Sequence, residues 1–235
     1  MASTTTTGAS AALFGSTGLV GSHILSTLLV DTASFPIVQT ISRRAPKSTG
    51  PSLSAIIEGD TSAWTTRLAA LSPAPRTVIS SVGTTRADAG GIANQWKIDH
   101  DLNVSLAQAA KSIPSVQTFV FISSAGTRFT SWAPYSKMKT GVENAIKEQN
   151  FEHAIILRPG LIIGDREGKH NSDLFVGAVR WFGNGVKDSL GAEAEVIARA
   201  AVHAVKLAEQ GKAPSKYWIL ENKDILRLGR DEWTA

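Results

Sequence analysis

Residues 15–21 read Gly-Ser-Thr-Gly-Leu-Val-Gly, between an apolar run at Ala11–Phe14 and an amphipathic stretch at Leu19–Val30. No other feature of the chain limits its fold as tightly. Glycine at 15 permits a tight turn, Gly18 lets the main chain approach a pyrophosphate, and Gly21 lets helix and strand pack closely. The start of a helix adds unpaired N–H groups and a positive dipole end for an anion. Three spaced glycines alone are a weak signal, but between a first strand and a first helix they are a strong one. Gly15, Ser16, Thr17, Gly18, Leu19, Val20 and Gly21 are therefore expected to cradle a dinucleotide.

The remaining sequence continues that pattern. Ile37–Ser42, Ser54–Ile57, Thr77–Val82, Thr118–Ile122 and Ala154–Leu157 read as strands, and Asn94–Lys111 and Tyr135–Glu148 as helices. Near-continuous apolar strands alternating with helices predict an α/β fold, a Rossmann-like doubly wound parallel sheet. With 235 residues, 43% hydrophobic, a sizeable core is available and disorder is excluded as the main state. Residues 1–10 are polar and of low complexity, and are expected to be a frayed tail. Residues 11–235 are read as one domain, with about 164–215 contributing a small C-terminal substrate cap laid over the open edge of the sheet. Helices are expected there at about 174–182 and 191–209, followed by a strand at Tyr217–Leu220.

Charge narrows the function further. Residues 1–30 contain no Asp, Glu, Lys or Arg. A signal peptide needs a basic leader, and a span needs about 20 mainly apolar residues; this stretch has neither, so no targeting or transmembrane segment is expected. Absence of cysteine removes disulfides, thiolate catalysis and Cys-based metal sites. The net charge of +4 is spread without a basic stripe, so nucleic acid is not expected as a partner. The five histidines, His23, His100, His153, His170 and His203, have no metal-binding spacing.

The end of the second strand selects among dinucleotides. An Asp or Glu there would bind the ribose 2′-OH of NAD. This chain has Ser42, Arg43 and Arg44. Guanidinium groups grip a 2′-phosphate through bidentate, charge-assisted bonds, so NADPH is favoured over NADH. Asp60, just past the third strand, is read either as an adenine contact or as an ordinary turn residue.

The catalytic candidates lie further on. Tyr135 and Lys139 are four residues apart and share a helix face. An ammonium beside a phenol favours the phenolate and moves a weak acid toward the working pH. Ser123 and Ser124 end the fifth strand, Ser124 standing eleven residues before Tyr135. A serine there can hold a substrate carbonyl oxygen while Tyr135 protonates it. His100 and Asp101, adjacent on a helix, are expected to diverge. Asp165, Glu167, His170 and Asp173 are read as loop residues, Trp132 as a pocket wall, and Trp181 with Phe182 as packing.

The segments GSTGLVG, ISRRAP, SSVGTTRADAGG, NQWKIDHDLN, FISSAG, YSKMK and ILRPGLIIGDRE together resemble the short-chain dehydrogenase/reductase superfamily. More closely they are similar to its atypical members, the group of the human Tat-interacting oxidoreductase-like protein and its fungal mitochondrial outer-membrane counterparts. The resemblance implies Tyr135 as acid/base and Lys139 as the holder of the nicotinamide ribose. It implies Ser124 as the family serine, with Ser123 as the fallback, and Asn103 as the helix asparagine of a proton relay. Val82, Gly83 and Thr84 match the fourth-strand loop beside the cofactor, and Pro159 and Gly160 the turn next to the nicotinamide. An NADPH-dependent reductase of a small carbonyl compound is the expected activity. The alternatives are an NADPH-binding regulatory or partner-binding protein, and a non-redox isomerase or lyase on the same scaffold. By resemblance alone the location is cytoplasmic or the cytosolic face of the mitochondrial outer membrane, with peripheral membrane association.

Overall fold

The computed structural model describes residues 10–125, 134–164 and 191–234. Seven strands form one wholly parallel sheet: β1 (Ser10–Phe14), β2 (Ile37–Ser42), β3 (Leu53–Ile57), β4 (Thr77–Ser80), β5 (Thr118–Ile122), β6 (His153–Arg158) and β9 (Tyr217–Glu221). Their spatial order is β3-β2-β1-β4-β5-β6-β9. The order reverses between β1 and β4, and in such sheets ligands bind in the crevice outside the carboxyl ends at that switch point. A pair of short parallel strands, β7 (Leu161–Ile163) and β8 (Gly191–Glu193), stands apart.

Continuous apolar runs make sense in the central strands, where β1, β4 and β5 are buried at every position. On one face α1 (Leu19–Val30) packs beside a sixteen-residue helix, Ala194–Glu209, through Ile24, Leu25, Leu28, Ile197, Ala201 and Val205. The other face is covered by α2 (Trp64–Ala69), α4 (Leu102–Lys111) and α5 (Pro134–Glu148), around Phe14, Phe119, Phe121, Leu106, Val142 and Ile146. Edge strand β3 has lost the buried pattern, with Ile57 61% exposed.

Two expectations change. The helix expected over Asn94–Lys111 is α3 (Ile92–Trp96) and α4 joined by a widened π turn at Lys97–Asp101. Asn103 causes it: its amide donates to the carbonyls of Ile98 and Asp99, which a regular ladder would consume otherwise, and to Val82 O. Most of the expected cap, residues 165–190, lies outside the described residues, as do the helix expected at 174–182 and the tail at 1–9. The described part of it does not stand over the sheet's open edge. The long helix, α6 (Ala194–Glu209), belongs to the helical layer against α1. Beyond it, β9 extends the sheet beside β6 and leads into α7 (Asn222–Leu226). Ser10, assigned to the tail, is the first residue of β1 and pairs with Ile37.

Candidate active site

The glycine turn closes as its residue types require. Gly15 has φ +82°, a conformation that side chains other than hydrogen strain, and its carbonyl accepts the Gly18 amide at 2.9 Å. A Cβ on Gly21 would stand 2.0 Å from the Gly15 oxygen, so only glycine lets α1 start this close to β1. The first helical hydrogen bond is that of Ser22 N to Gly18 O, leaving the amides of Leu19, Val20 and Gly21 ahead of the ladder. Gly18 supplies no side-chain cap, and the first turn holds no acid. Ser16 is 1% exposed, yet its hydroxyl has no hydrogen-bond partner among the described residues. Such an uncapped helix start beside a buried, orphan hydroxyl fits a dinucleotide pyrophosphate.

One strand away, Ile41 pairs with Phe14, which brings Ser42, Arg43 and Arg44 alongside the turn. Ser42 Oγ donates to Arg44 O at 2.8 Å and shapes the bend. Both arginines are exposed, and neither forms an ion pair among the described residues. Asp60 behaves as a turn residue: its two carboxylate oxygens accept the Ser62 amide (2.9 Å) and hydroxyl (2.8 Å).

On the other side of the switch point the groups are buried charges. Tyr135 is 40% exposed in the first turn of α5, while Lys139 one turn on is 4% exposed. The Lys139 ammonium lies 3.6 Å from Asp99 Oδ1, 3.5 Å from Ile122 O, and 4.9 Å from the centre of the Phe121 ring. Asp99, in the π turn, is 1% exposed and accepts the Thr84 amide at 3.0 Å. Burial drives the Lys139 amine below its ordinary range, with Asp99 and then Glu143 opposing. Burial likewise drives the Asp99 carboxyl upward against the pull of Lys139. Gly83 leaves room for the pair, since a Cβ there would stand 3.2 Å from Asp99 Oδ1. Val82 is buried behind it.

The two serines separate. Ser123 is 4% exposed and donates to Glu143 Oε1 at 2.5 Å. Glu143 in turn takes Arg158 at 3.1 and 2.5 Å, and Arg158 reaches Glu221 on β9 at 3.1 Å. Ser124, the next residue, is half-buried. The adjoining turn is tied down by Ala125 N to Pro159 O (2.8 Å) and Gly160 N to Asn222 Oδ1 (3.0 Å).

Asn103, expected in a proton relay, stands in the first turn of α4. It is fully buried, its amide spent on three carbonyls and its oxygen on the Ser80 hydroxyl at 2.6 Å. The side chain that faces Lys139 from this helix is Asp99, which sequence reasoning missed. Its signal was an acid one turn before Asn103, hidden because a regular helix gives no hint of the π turn. That turn also brings His100 Nδ1 to Asp101 Oδ1 at 2.8 Å, although adjacent residues were expected to diverge. Trp132, Asp165, Glu167, His170, Asp173, Trp181 and Phe182 lie outside the described residues.

Comparison with known proteins agrees with this architecture. The chain shares 16% identity and a TM-score of 0.66 with the Bordetella bronchiseptica enzyme WbmH in complex with NAD+, over 91% of this chain and 74% of that one. UDP-glucuronic acid 4-epimerase from Bacillus cereus, in complex with NAD, gives 16% and 0.63 over 90% and 76%. These likenesses show the fold, a Rossmann-like α/β sheet, shared with proteins solved in complex with NAD. Sequence kinship is far stronger with Protein FMP52, mitochondrial, of Chaetomium globosum, at 61% identity over 96% of this chain and 99% of its relative. Protein fmp-52, mitochondrial, of Neurospora crassa is 59% identical over 97% and 98%. The HIM1 family model matches residues 51–179, more than half of the chain. Of the resemblance drawn from the motifs, the Rossmann-like fold and the fungal relatives named mitochondrial are thus shown, whereas the superfamily's activity and nearness to the Tat-interacting protein rest on the motifs alone. The chain belongs to the HIM1 family and is related over nearly all of its length to the FMP52 proteins, on a Rossmann-like α/β fold.

Proposed function

We infer that the protein is an NADPH-dependent reductase of a small carbonyl compound. One observation carries the reading: a half-exposed phenol, Tyr135, stands one helical turn from a buried ammonium, Lys139, across the switch-point crevice from an anion-ready glycine turn. Gly15–Gly21 and the uncapped start of α1 hold the pyrophosphate, and Ser16 gives its hydroxyl a partner there. Arg43 and Arg44 grip the 2′-phosphate. Val82, Gly83, Thr84, Pro159 and Gly160 border the nicotinamide end, which supplies a hydride to the carbonyl carbon when bound. Tyr135 Oη gives its proton to the carbonyl oxygen, Ser124 Oγ donates a hydrogen bond to the same oxygen, and Lys139 keeps positive charge beside the forming phenolate.

Tyr135→Phe is expected to lower kcat by about 10²–10⁴-fold while NADPH affinity, read by Trp fluorescence titration, stays within a factor of two. Wild-type turnover in that variant would overturn the catalytic assignment. Joint replacement of Arg43 and Arg44 by Ala should weaken NADPH and leave NADH unchanged; equal affinities in the wild type would refute the NADPH preference. Consumption of NADPH matched one to one by reduced product separates a reductase from an isomerase or lyase and from a non-catalytic regulator.

The relatives' mitochondrial names support a mitochondrial site for this chain, which we place on the cytosolic face of the outer membrane. Among the described residues no helix is long and apolar enough to cross a membrane. Loss of the protein from intact purified mitochondria on mild protease treatment is the expected result; full protection would exclude that face.

A further inference from the structure

We propose that Asp99 is a positioning residue of the site: its carboxylate is the dedicated counter-ion that keeps Lys139 charged and aimed, and the π turn at Lys97–Asp101 exists to deliver it. The inference rests on the reading of Tyr135 and Lys139 as the acid–base pair, and extends it to a residue that the motifs do not single out.

The argument begins with the ionic partners. Two buried carboxylates flank the Lys139 ammonium: Asp99 from the π turn, and Glu143 one turn further along its own helix. Glu143 is already matched, held by Arg158 through both its oxygens. Among the described residues Asp99 meets no arginine; its ion-pair partner is Lys139, at 3.6 Å. Among the described residues, the other surfaces against the ammonium bring no ionisable group. From β5 come the Phe121 ring and the Ile122 carbonyl, and from the β4–α3 loop come Gly83 and the Thr84 amide. Tyr135 completes the set from one turn back on α5.

Each acceptor on Asp99 is committed, one oxygen toward Lys139 and the other to Thr84 N–H. The carboxylate therefore fixes the ammonium relative to the loop that borders the cofactor. A charge this dry, with both partners under 6% exposed, is screened little by solvent, so removing the carboxylate is felt almost entirely by the lysine. Asn103 then has a purpose that its burial explains. Tied to Ser80 and to the carbonyls of Val82, Ile98 and Asp99, it holds the helix open by one residue and turns Asp99 to face α5.

The test reads the lysine directly, in the full chain without cofactor, by ¹³C NMR of Lys139 Cε against pH. Asp99→Asn should lower the Lys139 midpoint by about 1–3 units, and Asp99→Glu should restore at least half of that shift. In turnover, the alkaline limb of the kcat/KM profile should move down with the same variant by the same amount. An unchanged Lys139 midpoint in folded Asp99→Asn protein overturns the proposal, whatever its activity. A lowered midpoint in a protein with no reductase activity at any pH would instead refute the proposed function and leave the pairing intact. Should Asp99→Asn fail to fold, the wild-type chain decides: Asp99 Cγ and Lys139 Cε must each show an inflection at the other's midpoint, and independent titrations overturn the pairing.

Discussion

The two halves of the crevice solve opposite problems with opposite materials. On the β1–β2 side the site is main chain and empty space: glycines at 15, 18 and 21, an uncapped helix start and an orphan serine hydroxyl. Arg43 and Arg44, on this side, stand in water. On the β4–β6 side the site is buried charge: Asp99, Lys139, Glu143 and Arg158, with side chains 2–14% exposed. A phosphate is gripped by N–H groups that can be approached closely, which any side chain would obstruct. A proton is moved best by groups whose charge is poorly screened, and these need partners or they neutralise. In the proposed function, binding and chemistry sit side by side at the carboxyl ends of the central strands, built respectively from the absence of side chains and from the most expensive ones.

The difference can be broken most severely at Arg158. Arg158→Met strands Glu143 without its cation and should cost about 3–5 kcal/mol in urea unfolding. Adding Glu143→Leu should recover most of that loss, because an apolar replacement of a whole pair is close to neutral; a single variant costing under about 1 kcal/mol would mean that this half is not held by its charges. Next comes the glycine side. Gly21→Ala drives a Cβ onto the Gly15 carbonyl and should cost about 3 kcal/mol, the top of the range for overpacking. It should also weaken NADPH binding, where Tyr135→Phe does not. A smaller effect is expected at the serines. Ser123→Ala removes a hydrogen bond to a buried carboxylate, about 1.5 kcal/mol of stability, and should reduce kcat less than Ser124→Ala; the reverse order of kcat would return the substrate-facing role to Ser123.

The mildest test is alkaline. The Tyr217 hydroxyl donates to Glu143 O at 3.3 Å, and burial, then the Glu143 charge, pushes its pKa up to about 12 from an ordinary 10.0. A folded pKa raised this way contributes stability that is full below pH 10 and lost as pH rises through about 12. Wild type should therefore lose stability relative to Tyr217→Phe across that window. A constant difference would show that the phenol is solvated in the folded state.

Several elements could be read residue by residue. Helix Leu19–Val30 and strands Ile37–Ser42 and Thr118–Ile122 have the bounds their apolar patterns imply, because period and burial agree there. Pattern failed where a tertiary partner overrode it. Nothing in NQWKIDHDLN announces a π turn, which depends on Ser80 and Val82 more than twenty positions upstream meeting Asn103. The strand at Tyr217–Leu220 reads as part of a cap, yet it pairs with β6 and extends the sheet.

What the sequence determined by itself is local: a strand, a glycine turn and a helix in succession, a Tyr and a Lys one turn apart, and two arginines where an acid would have stood. Backbone sterics and helical periodicity act over a few residues and need no distant partner. The tertiary structure decided which charges meet. Asp99 reaches Lys139 forty residues ahead, and Glu143 is claimed by Ser123, Arg158 and, through it, β9. Long-range electrostatic pairing depends on burial and on relative placement, and neither is a property of any short stretch of chain.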